Sequence, residues 1–225
     1  MRSRVKYIGF SILIALVEYT WSWWYYKQLY LKGNLLSATS VTIEILPIVL
    51  AQHFIVTLPV WIFLFVSLLI QGHMFHDNFG FKLPVKGKRV ICGLVVIVYL
   101  IMLLIAFIRL EYEPITIIYL WIYYFLFVAF TEEAIFRGLL PWLMKKSGVI
   151  QWYVWIIPGV LFACMHSLMP LVVNGFSMEF IVSLFSSLGG FTLFACGLYY
   201  LRCWSNSLWL PIFVHAILDF VGVLF

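Results

Sequence analysis

Three short clusters in the second half of the chain carry side chains able to accept, hold or pass a proton. They are Thr131-Glu132-Glu133-Ala134-Ile135-Phe136-Arg137, Phe162-Ala163-Cys164-Met165-His166 and His215-Ala216-Ile217-Leu218-Asp219. Neighbouring residues on a helix point about 100° apart, so Glu132 and Glu133 cannot serve one site equally. Glu133 and Arg137 stand i, i+4 with the acid first, the favourable order for a helical ion pair. That pairing leaves Glu132 on an adjacent face, free to project into a cavity. A carboxylate in a water-poor pocket is a better general base. Taken alone, Glu-Glu-x-x-x-Arg equally describes a solvated helix end.

The second and third clusters add imidazoles. A single His in an apolar helix is ordinarily a packed residue with one nitrogen satisfied, and His166 alone says no more than that. Phe162, four residues earlier, shares its face and can wall or orient the ring. His215 and Asp219 also share a face. A carboxylate beside an imidazole fixes its tautomer, favours its protonation or helps it hold a metal. The competing reading of that pair is a buried polar lock between helices.

The elements that must position these groups are membrane helices. The chain has 225 residues, 65% of them hydrophobic and 10% charged, whereas a soluble domain carries charge on about a quarter of its residues. Aromatic residues make up 20%, and Trp and Tyr favour the headgroup level of a bilayer. The formal net charge of +5 does not point to nucleic acid. The basic residues lie in short clusters between apolar runs, as topology signals do. Cys92, Cys164, Cys196 and Cys203 lie in or beside apolar segments without disulfide spacing or a CxxC pair, and read as membrane thiols. The basic amino terminus and the run after it resemble a secretory signal, but no small-residue cleavage site follows. An uncleaved first span is expected.

Seven spans of near-bilayer length are expected, roughly 7–25, 46–70, 90–108, 114–140, 152–167, 178–201 and 208–225. The fold class is therefore an all-α polytopic membrane bundle, a single domain over 1–225 with its motif-bearing core at about 85–222. The second span is interrupted by Pro47, His53 and Pro59, and part of it is expected to lie along the interface. With a cytoplasmic amino terminus and seven crossings, eleven of the fourteen Lys and Arg residues fall on the inner side and three outside, as the positive-inside rule requires. Glu132, His166 and His215 then lie roughly 10–20 Å below the inner face. Glu18, Glu44 and His53 stand isolated in sequence and read as interfacial or packing groups. Ser183, Ser186, Ser187, Gly189 and Gly190 give the sixth span a small-residue surface suited to helix contact.

The order Glu-Glu-x-x-x-Arg, Phe-x-x-x-His, His-x-x-x-Asp, with Ser205-Asn206-Ser207-Leu-Trp-Leu-Pro leading into the last, resembles the CAAX protease and bacteriocin-processing family, also called Abi-type intramembrane proteases. The resemblance implies that Glu132 and His166 activate a water for attack on a peptide carbonyl. It implies that His215 and Asp219 stabilise the oxyanion or complete the cluster, with Glu133, Arg137 and Phe162 in support. The last motif commonly ends in Asn, and here it ends in Asp219. An ionised Asp cannot donate to an oxyanion, so Asp219 must be protonated, orient His215 or contact a metal.

The chemistry expected is hydrolysis of a peptide bond in a membrane-associated peptide or protein, in bacteriocin self-immunity or peptide processing. The site would open to the cytoplasmic side of a bacterial plasma membrane. Metal-dependent and metal-free glutamate mechanisms both stay open. HExxH is absent, yet Glu132, His166 and His215 supply three ligands for a divalent ion such as zinc, with a fourth position left for water. Two readings from other classes remain: a non-catalytic membrane immunity or binding protein, and an ion or proton transporter.

Overall fold

A computed structural model describes residues 2–35, 42–109 and 112–224. Residues 36–41, part of the uncertain path before the second expected span, lie outside the described residues. Every regular element among those described is helical. In chain order they are α1 (Arg2–Leu31), α2 (Leu46–Val56), α3 (Leu58–Gln71), α4 (Met74–Phe79), α5 (Arg89–Arg109), α6 (Pro114–Ser147), α7 (Gln151–Met165), α8 (Leu168–Asn174), α9 (Met178–Ser205) and α10 (Trp209–Leu224).

Local sequence sets these boundaries. Pro114 opens α6 at a position where its fixed φ suits the first turn and its missing N–H is no loss. Gly148, at φ 68°, closes the same helix in the left-handed conformation. Ser177 caps α9 by accepting from the Phe180 N–H, and Asn206, at φ 55°, ends it. The Ser205–Ser207 lead is a strap between α9 and α10. The Ser207 hydroxyl donates to the Lys82 carbonyl at 2.6 Å and accepts from the Trp209 N–H at 3.2 Å. The Leu208 N–H bonds the Gly80 carbonyl at 2.8 Å. Gly80 sits at φ 91°, and a Cβ there would lie 3.3 Å from the buried Arg202 guanidinium, so glycine is required where the strap crosses.

Among the described residues, four helical stretches are long and apolar enough to cross a membrane: 86–109, 114–147, 151–174 and 178–205. The pair α2 and α3, bent by 58° at Thr57, makes a fifth if counted as one broken span. Length and composition by themselves thus support four or five of the seven expected spans among the described residues. The α10 helix has only 16 residues, about 24 Å of rise. The α1 helix is long enough, but Glu18, Lys27 and a run of Tyr and Trp residues dilute its hydropathy. The fourth expected span extends past residue 140 to Ser147. The fifth breaks at His166, where α7 ends and α8 begins.

The core lies where α6 meets its neighbours. Leu208, Ile212, Ala216 and Phe220 form an i, i+4 stripe on α10, buried with Tyr99 and Ala106 of α5 and Ile117, Leu120 and Ala129 of α6. The Tyr99 hydroxyl donates to the Trp121 carbonyl at 2.6 Å, tying α5 to α6. Ala134, Ile135, Phe136, Leu139 and Leu140 of α6 pack with Ile14 and Ala15 of α1, Phe79 of α4 and Phe162 of α7. Helices α7 and α9 approach at Gly159, whose absent Cβ would lie 3.4 Å from Ala195 and Thr192. The expected small-residue surface is not the seam. Of Ser183, Ser186, Ser187, Gly189 and Gly190, only Ser187 is buried, and no atom approaches within 4 Å of a Cβ built at either glycine.

Candidate active site

Helix α6 is not a regular α-helix where it carries its acids. Residues Tyr123–Phe130 and Ala134–Leu139 are π-helical, with a single α turn, Thr131–Glu133, between them. Such widened turns concentrate at functional positions. Here they set the angle at which two adjacent carboxylates leave the helix.

Glu133 turns into the protein. It is fully buried and ion-paired with Arg137 at 3.0 Å, the i, i+4 pair that the spacing anticipates. Its Oε1 also lies 2.9 Å from His215 Nδ1. An ionised carboxylate only accepts, so Nδ1 is the donor and His215 Nε2 faces the other way. There it meets Asp219 Oδ2 at 3.4 Å and Glu132 Oε2 at 3.7 Å. Asp219 is therefore near His215 as the shared face required, but the acid that fixes the ring is Glu133, reaching across from α6. Sequence reasoning treated Glu133 as support for Arg137 alone. No spacing rule links residues 133 and 215, because the i, i+4 rule reports only on neighbours along one helix.

Glu132 turns the other way, into a cavity of about 390 Å³. Its side chain is 28% exposed. His166, Met165, Phe136 and Asp219 line the same cavity. His215, 1% exposed, stands behind the wall and is reached through Glu132 and Asp219.

His166 sits at the joint between α7 and α8. Its Nδ1 is 3.0 Å from the Phe162 carbonyl. A carbonyl oxygen cannot donate, so Nδ1 carries the hydrogen and Nε2 is left as a base or acceptor. The ring stacks on Phe191 of α9 at 3.7 Å and rests against Phe162 at 4.5 Å. Phe162 is fully buried. The Arg137 guanidinium lies 4.2 Å over its ring, and the His215 ring stands edge-on at 5.9 Å. The expected walling residue thus touches both imidazoles and the buried cation.

Two residues read as isolated packing groups prove otherwise. Glu18 of α1 and His53 of α2 both line this cavity, 6% and 9% exposed. The available signal was the general cost of an ionisable group inside an apolar helix; separation in sequence hid the rest. Glu44 is exposed and lies apart from the cavity. The four cysteines are free thiols, from buried Cys92 to exposed Cys203.

The set Glu132, His166 and His215 can also be tested as a divalent-metal site. Among the described residues no three His, Cys, Asp or Glu side chains are grouped to hold an ion. His215 and His166 each use Nδ1, toward Glu133 and a backbone carbonyl respectively, and keep Nε2 outside those bonds.

Fold and site together define a class: a helical membrane protein with a carboxylate–imidazole cluster sunk between its helices. Residues 114–221 match the family model described as Rce1-like, type II CAAX prenyl endopeptidase Rce1-like. That segment, α6 through most of α10, carries all three motifs, and the chain is an integral membrane protein. The match starts later than the expected core at 85 and leaves α5 outside. No curated protein and no solved structure matches the chain.

Proposed function

We propose that the chain is an intramembrane endopeptidase that hydrolyses a peptide bond of a membrane-associated peptide or protein, working through Glu132, His166, His215 and Asp219. The observation that carries this reading is the meeting of Glu132 and His166, 34 positions apart in sequence, on one cavity. A polar cavity inside apolar helices supplies the water that peptide hydrolysis consumes.

In the proposed reaction a water lies between the Glu132 carboxylate and His166 Nε2. One water proton passes to Glu132 while the other hydrogen bonds to Nε2, and the oxygen attacks the peptide carbonyl carbon. The C=O electron pair moves onto oxygen, and His215, acting as an imidazolium with Nδ1–H held by Glu133, donates its Nε2–H to that oxyanion. Collapse of the tetrahedral carbon breaks the C–N bond as Glu132 returns its proton to the leaving nitrogen. Asp219, an acceptor 3.4 Å from His215 Nε2, positions and balances that imidazole. This assigns to Asp219 the orienting role among its three options.

The seven-crossing arrangement, with a cytoplasmic amino terminus and the cavity opening to the inner face of a bacterial plasma membrane, belongs to this proposal. The basic-residue bias supports it. Bacteriocin or pheromone precursors and prenylated proteins are the substrate classes to try first.

The test is cleavage of a panel of membrane peptides by purified protein, with and without a chelator, against Glu132→Gln and His166→Ala. Cleavage by the wild type that survives chelator and falls roughly 10²–10⁴-fold in each variant is expected. A Glu132→Gln protein that keeps its biological effect would instead mark a binding or immunity protein.

A further inference from the structure

The cavity lining holds two further polar side chains, Glu18 and His53, that the proposed hydrolysis does not use. Glu18 Oε1 takes a weak hydrogen bond from Ser22 at 3.4 Å, while Oε2 is buried without a hydrogen-bond partner. The His53 ring rests on Tyr123 at 4.3 Å, and its Nε2 is likewise buried and unpartnered. The Trp21 indole N–H donates to the Ile55 carbonyl at 2.8 Å, which pins α1 to α2 close to both residues.

A buried carboxyl oxygen and a buried imidazole nitrogen without bonds are costly to leave unmet. Both can act as acceptors, so a group rich in N–H donors completes them. The charge of the cavity narrows the choice further. Its lining holds Glu18, Glu132 and Asp219 and no Lys or Arg. An anionic group entering here meets three carboxylates with no Lys or Arg to offset them, and an apolar one leaves both acceptors unmet. A Lys or Arg cation supplies donors to both acceptors and meets opposite charge and the aromatic faces of Tyr26, Tyr123 and Phe127.

We propose that Glu18 and His53 form a recognition subsite for a basic side chain, Lys or Arg, of the peptide substrate. The identity of the occupant as a peptide rests on the protease reading above, so binding and cleavage are scored separately. Fluorescent apolar peptides carrying Lys, norleucine or Glu, with the substituted position moved along the peptide, are titrated into full-length Glu132→Gln protein in detergent and followed by anisotropy. At one position the Lys peptide should bind about tenfold more tightly than its norleucine counterpart, the scale of a charge-assisted buried hydrogen bond, and the Glu peptide more weakly still. Adding Glu18→Gln or His53→Ala should erase that preference while the melting temperature holds.

Equal affinity for Lys and norleucine at every position, or a preference untouched by Glu18→Gln, overturns the subsite and assigns the two acceptors to water. The same peptides are then offered to the wild type. A Lys preference in binding without cleavage keeps the subsite and sinks the protease. Cleavage indifferent to the basic residue does the reverse.

Discussion

His215 owes its orientation to an acid on another helix. Glu133 serves Arg137 and His215 through one oxygen, and all three side chains are buried. Glu132, its neighbour in sequence, carries no such burden. The two adjacent acids should therefore fail in opposite ways. Glu133→Gln leaves Arg137 as an uncompensated buried cation and should cost about 3–5 kcal/mol, read as a lower thermal midpoint in detergent. Glu132→Gln, at a partly exposed cavity wall, should melt within about 0.5 kcal/mol of the wild type while turnover is lost. Equal destabilisation by both would erase the distinction. The sequence made half of this legible. The i, i+4 order paired Glu133 with Arg137 and freed Glu132, because helical spacing is a local property. The Glu133–His215 bond and the entry of Glu18 and His53 into the cavity depend on which helices are neighbours, and spacing is silent on that.

At the scale of elements, α6 decides the site. Its apolar run and its opening Pro114 announce a helix, and the helix is there. Its π turns have no signature in the residues, since Tyr123–Phe130 reads as an ordinary buried run. The first packs against Ile212, Ala216 and Phe220 of α10, and the second against α1, α4 and α7. Removing Leu126 from the first π segment should restore a tighter turn and rotate the upstream face against Glu132 by about 100°. That variant should lose turnover by more than its fall in melting temperature explains. Unchanged activity would show that the π geometry does not aim Glu132. The bend at Thr57, by contrast, was foreshadowed by Pro59, which stands in the first turn of α3 just past the break and has no N–H to carry the α2 ladder onward.

For the whole molecule, composition alone required a membrane, and the apolar helices agree. The number of crossings was less legible, because α1 mixes interfacial aromatics with acids and α10 is short. If the seven-crossing arrangement holds, single cysteines introduced in a cysteine-free background at Lys86 and Lys146 should resist a membrane-impermeant maleimide in intact cells, and one at Lys32 should react. Labelling of Lys146→Cys from outside would invert the topology and move the cavity mouth to the other face. The account stands or falls on Glu132 and His166 acting on one water across a shared cavity. The most direct measurement is turnover of a single cleavable peptide by Glu132→Gln, His166→Ala and the double variant. Groups acting as a unit lose function together, so the double variant should be no more than a few-fold slower than the worse single one. Losses that multiply, or a Glu132→Gln protein that cleaves at the wild-type rate, would contradict it.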